Sequence, residues 1–150
     1  MFNNILIAVH PTNEDEAKQA LQEGARLLAD GGELHLVSVY NPSGTAFFPH
    51  VNEEAPDAKE NEVRDNLDLL MRKYLPLDVS ATLHVLTGET AKQLNALAAQ
   101  LKSDLVVLTS RGSCSRWSLR RATLEYVTIN APCAVLVLKG DEDELETKIA

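Results

Sequence analysis

Two cysteines in 150 residues, Cys114 and Cys133, are too few for a disulfide framework. That argues against a small stapled secreted scaffold and makes the cytoplasm the simplest expected compartment. No apolar run approaches the roughly 18 residues that span a bilayer. The first apolar run, residues 5–9, has no basic flank before it and no small-residue cleavage site. It reads as a strand, not as a signal peptide. Positive charge is scarce too: 14 Lys and Arg against 22 Asp and Glu give a net charge of −8 and a pI near 4.9. Broad nucleic-acid binding through phosphates needs a basic face, so that class is disfavoured. Common enzyme signatures are missing as well. There is no Gly-x-Ser-x-Gly elbow, Walker loop, Gly-x-Gly-x-x-Gly fingerprint or zinc-spaced His/Cys cluster. The four histidines, His10, His35, His50 and His84, are scattered. His35 and His84 fall inside strand-like runs, where satisfied core or face histidines are expected in preference to ligands.

What is present is an ordinary soluble composition, 45% hydrophobic and 24% charged, in a chain long enough for one domain and one core. Strand and helix signals alternate five times. Residues 4–9 form a continuous apolar run, as a parallel strand buried on both faces requires. Asn13 with Glu16 looks like a capping box. The helix it opens is expected to reach about Asp30, with Ala17, Ala20, Leu21 and Leu28 on one face and Gly31-Gly32 as its stop. Glu33 to Tyr40 alternates as a second strand. A loop to about Pro56 precedes a helix face at Val63, Leu67, Leu70, Met71 and Tyr74. Val79 to Leu86 is a third strand, Glu89 to Lys102 a helix, and residues 105–109 and 134–138 the last two strands. A helix of about two turns from Ala122 lies between those strands. The expected fold class is α/β: a single-domain, doubly wound, five-stranded, mostly parallel sheet with helices on both faces. Residues 1–140 form the domain, and residues 141–150 an acidic tail that reads as a solvated end.

Residues 104–138 carry the functional signal. The apolar run Asp104 to Leu108 breaks at Thr109-Ser110-Arg111-Gly112-Ser113-Cys114-Ser115. Four of the seven arginines, Arg111, Arg116, Arg120 and Arg121, fall within eleven residues there. Ala122-Thr123-Leu124-Glu125 reads as a helix start. A strand, a small-residue turn and a helix N-terminus build a place where backbone N–H groups face an anion. An acidic chain with one basic loop fits the same idea. The alternative is that these arginines pair with surface carboxylates.

This segment resembles the universal stress protein family. The family's nucleotide motif is Gly, two residues, Gly, nine residues, Gly, then Ser or Thr. The matching positions here are Thr109, Gly112, Ala122 and Thr123. Spacing matches in full, one of the three glycines is kept, and so is the terminal hydroxyl. Ala131-Pro132-Cys133 before the last strand, the first strand and Gly88-Glu89-Thr90 also fall where the family has them. The resemblance thus covers nearly the whole chain. It implies strand order 3-2-1-4-5, which sets the ends of the first and fourth strands beside one crevice. It also implies an adenine nucleotide, ATP or AMP, as ligand. An aspartate of the family is replaced by His10, which offers neither a carboxylate's charge nor its paired acceptors. Ala8, Val39 and Leu108 align with positions that touch the base. Arg111, Gly112, Ser113, Ala122, Thr123 and Leu124 would border the phosphates, with Thr109 at the first glycine position. Glycine there permits close backbone approach. The replacements at 10, 109 and 122 therefore predict weak binding or none. No metal is required on sequence grounds.

The expected function is a non-catalytic binding or signalling module of the stress response. The alternative keeps the fold as a nucleotide-independent homodimeric interaction module. A remote alternative is a cysteine-dependent phosphatase, because Cys114 and Arg120 have the Cys, five residues, Arg spacing of those enzymes. The intervening loop has no glycine and includes bulky Trp117, which suits a phosphate cradle poorly. Cys133 is expected to be a small core residue. The family also implies a homodimer in which the last strand pairs with its twin. Val135, Leu136, Val137 and Leu138 are apolar without a break, at what should be a sheet edge.

Overall fold

The computed structural model describes residues 1–11, 13–40, 56–110 and 118–139. Five strands and four helices alternate: β1 (Phe2–Ala8), α1 (Glu14–Leu27), β2 (Leu28–Tyr40), α2 (Pro56–Tyr74), β3 (Ala81–Thr87), α3 (Thr90–Leu101), β4 (Leu105–Ser110), α4 (Ser118–Asn130) and β5 (Ala134–Lys139). The sheet order is β3-β2-β1-β4-β5, and every neighbouring pair is parallel. This is the α/β architecture expected from the sequence. The acidic tail, residues 141–150, lies outside the described residues.

Side-chain alternation along each strand sorts the core into two layers. Ile5 and Ile7 of β1, Leu34 and Leu36 of β2 and Leu105 and Val107 of β4 face α1 and α2, where Ala17, Ala20, Leu21, Val63, Leu67 and Leu70 meet them. Leu6, Val37, Val106 and Leu108 face the other way, onto Ala91, Leu94, Leu97 and Ala98 of α3 and Val127 of α4. Central β1 is buried on both faces, which is why it reads as an unbroken apolar run.

Several element boundaries differ from the sequence reading. Helix α1 starts as expected, with the Asn13 side chain accepting the Glu16 N–H at 3.3 Å. It ends at Leu27, not near Asp30, and Leu28 is already extended and paired in register with Phe2. Gly31 and Gly32 therefore do not stop the helix. They lie in β2 where the register with β1 slips between Phe2 and Asn4. Gly31 has φ +76°, and a Cβ on Gly32 would come within 2.9 Å of the Asn3 carbonyl oxygen. Two glycines let the backbone turn and approach there, a bulge signal that resembles a helix stop. Helix α4 has 13 residues, about three and a half turns, and begins at Ser118, four residues before the expected start. Leu119, Arg120, Arg121 and Ala122 are all good helix formers, so nothing delays the helix to Ala122.

Candidate functional site

β1 and β4 are neighbours, paired through Ile5 with Leu105 and Ile7 with Val107. After β1 the chain passes to α1 on one face. After β4 it passes to α4 on the other face. Adjacent strands whose chains leave in opposite directions form a topological switch point, the usual ligand place in an open parallel sheet. The ends Val9-His10-Pro11 and Leu108-Thr109-Ser110 meet there, as expected. Val9 holds the end of β1 to β2 through its N–H to the Val37 carbonyl at 2.9 Å.

The fold gathers part of the expected set onto one face. Leu108 lies in the α3/α4 layer, and Ala8, Val39 and Leu124 pack against that layer. Three strands and one helix thus bring four of these residues into one apolar cluster. His10 is exposed beyond the end of β1, with its carbonyl accepting the Asn13 N–H at 3.0 Å. Ala122 is exposed and Thr123 half-buried, both within α4 and not at its start. Inside a helix the N–H groups of this turn serve the preceding carbonyls, and the free donors belong to the first turn. Arg111, Gly112, Ser113 and Cys114 lie outside the described residues, as do the side chains of Arg120 and Arg121.

Thr109 stands at the first motif position. Its side chain turns to the α1 face, and its hydroxyl donates to Glu16 Oε2 at 3.2 Å. The Glu16 carboxylate is buried, only 5% exposed. The hydroxyl at the first motif position is therefore bonded to the protein. Sequence reasoning treated Glu16 only as a capping residue and missed this bond. A signal was present: Glu16 lies four residues before Ala20, on the stripe that α1 buries, where a carboxylate needs a polar partner.

Elsewhere, His35 and His84 are satisfied within the sheet, as expected, by a contact of 3.1 Å between His35 Nδ1 and His84 Nε2. Cys133 packs against the α3/α4 layer. Burial, and secondarily the Asp104 carboxylate, push its thiol up, which favours the protonated form. Among the described residues no group of three or more His, Cys, Asp or Glu could hold a metal ion. No helix among them is long and apolar enough to cross a membrane.

The model of the universal stress protein family matches residues 1–139. The chain belongs to the universal stress protein family. Solved structures repeat its fold. A hypothetical protein whose structure served to assign its biochemical function is 18% identical, with TM-score 0.69, covering 94% of this chain and 98% of that one. A universal stress protein in complex with cAMP is 15% identical, with TM-score 0.59 and coverages of 93% and 98%. The Archaeoglobus fulgidus universal stress protein in complex with dAMP is 18% identical, with TM-score 0.56 and coverages of 91% and 97%. No curated protein matches the chain.

Proposed function

We propose that this universal stress protein is a non-catalytic, cytoplasmic binding module that takes an adenine nucleotide weakly at the β1/β4 switch point. One observation carries the reading: Ala8, Val39, Leu108 and Leu124 share one apolar cluster beside the strand ends. An adenine ring needs such an apolar seat with few polar groups around it. The cAMP and dAMP complexes of the two related folds support the same class of ligand. Weakness follows from position 109, where the side chain replaces a permissive glycine and its hydroxyl is held by Glu16. Calorimetry tests this with ATP and AMP on the wild type and on the triple variant Thr109→Gly, Ala122→Gly, His10→Asp. The variant should bind at least tenfold tighter, equivalent to about 1.4 kcal/mol. Tight wild-type binding sinks the weakness, and no binding by either protein sinks the nucleotide reading.

A homodimer through β5 belongs to the same proposal. β5 is an edge strand with one neighbour, and Val135, Leu136, Val137 and Leu138 stay half-buried there. An isologous pairing would satisfy both copies' edge N–H and C=O groups at once. Light scattering at micromolar concentration is expected to give a dimer, and Val135→Lys with Val137→Lys a monomer or insoluble protein. A wild type that stays at 16.4 kDa removes the dimer.

A further inference from the structure

We propose that His35 and His84 form a one-proton site that couples the switch-point end of β2 to mildly acidic pH. The two imidazoles meet at a tilt of 39° across β2 and β3, Nδ1 of His35 lying 3.1 Å from Nε2 of His84. Their ring centroids are 5.2 Å apart. His35 is buried, 6% exposed, and its other nitrogen, Nε2, lies 3.4 Å from Glu33 Oε2. The tautomers that satisfy both contacts are these. Nε2 of His35 carries a hydrogen toward the carboxylate, so in the neutral pair Nδ1 of His35 accepts and Nε2–H of His84 donates. A proton arriving at His84 Nδ1 releases the Nε2 proton to His35 Nδ1. The charge then rests on His35, between the Glu33 carboxylate and a neutral His84. One proton is gained, one internal N–H bond breaks and one forms.

A second proton has no place. It would put two imidazolium rings in contact, with the Arg64 guanidinium of α2 nearby. Arg64 donates to the Leu83 carbonyl at 3.3 Å and to Glu60 at 3.4 Å. On the same sheet face α3 offers Ala91, Leu94, Leu97 and Ala98, which solvate no charge. Burial first, then His35, then Arg64 hold His84 below the usual imidazole range. The sign follows. The unfolded chain protonates His84 near its ordinary value of about 6.5, while the folded chain resists. The stability associated with His84 is therefore full above that value and declines as pH falls toward the lowered one.

The pair is also connected to the switch point. His35, Val37 and Val39 share one face of β2, and Val39 packs against the apolar cluster there. Four residues of strand span about 13 Å. Beyond Val39, the Tyr40 carbonyl accepts the Gly88 N–H at 3.2 Å, closing β2 onto the end of β3. A change of proton position at the pair acts on both strands that this bond ties together.

The test needs no ligand. NMR of the imidazole Cε1–H groups is followed from about pH 8 to about pH 5. The pair should take up a single proton over this range. In His35→Gln the midpoint of His84 should rise, because burial still holds it down but the neighbouring ring no longer does. The amides of residues 37–40 and of Gly88 should shift in the wild type with the midpoint of the pair. Independent titration of both rings with nearly equal midpoints overturns the one-proton site. Silent amides at 37–40 and 88 overturn the coupling. If His35→Gln does not fold, the wild-type titration and its amide shifts still decide both points.

Discussion

β1 and β4 are joined very differently at their two ends. At the amino end a single carboxylate clamps them. Asp104 accepts the N–H of Asn3 at 2.8 Å and of Asn4 at 2.9 Å, while its own N–H donates to the Asn4 carbonyl at 2.9 Å. The Asn4 side chain bonds the Leu101 carbonyl and accepts from Ser103 Oγ. At the carboxyl end the Thr109 hydroxyl of β4 donates to the Glu16 carboxylate of α1. The closed end locks α3, β1 and β4 into register. The other end lets two chains diverge onto opposite faces, and that divergence makes a site possible. Stability and ligand chemistry should therefore separate along the same two strands.

The largest effect is expected at the clamp. Asp104→Ala removes an acceptor from two backbone N–H groups, one of them part-buried. Bonds to a charged acceptor are worth more than neutral ones, so the loss should be about 2 kcal/mol in urea unfolding. Nucleotide affinity of the folded protein should not change. A variant that keeps full stability shows that the clamp is ornamental. One that loses binding while folded shows that the two ends are not separate.

The same contrast explains what the sequence made legible. The amphipathic helices and buried strands follow from periodicity, because burial of Ile5, Leu67 or Leu97 leaves a repeating trace. The switch point followed from the strand order that the family resemblance implies. Boundaries slipped where one residue type serves two purposes. Gly31-Gly32 can end a helix or make a bulge, and the choice depends on the Asn3 carbonyl beneath them. Ala122-Thr123-Leu124-Glu125 reads as a helix start, yet nothing in Ser118 to Arg121 opposes one. The Thr109–Glu16 bond spans 93 residues of chain, and local patterns do not report such a pairing. Only a carboxylate on a buried stripe hinted at it.

The smaller prediction concerns that bond. Thr109→Val keeps the branched shape and removes the hydroxyl, leaving a buried carboxylate short of one donor. The cost should be about 1 kcal/mol in urea unfolding. Glu16→Met removes the other partner and its desolvation burden together. Removing both partners of a buried polar pair costs less than the sum of the single losses, because no unmatched group remains. The double variant should therefore fall short of additivity by about 1 kcal/mol. Strict additivity would mean that the two side chains do not sense each other. The cycle also bears on the ligand. Thr109→Gly by itself deprives Glu16 of the same donor, so a glycine restored at the switch point brings a stability loss with it. The gain in nucleotide affinity from that glycine should be larger with Glu16→Met than with Glu16 intact, since the carboxylate no longer stands near the first motif position. An equal gain in both backgrounds would place Glu16 outside the site and leave Thr109 alone as the obstacle.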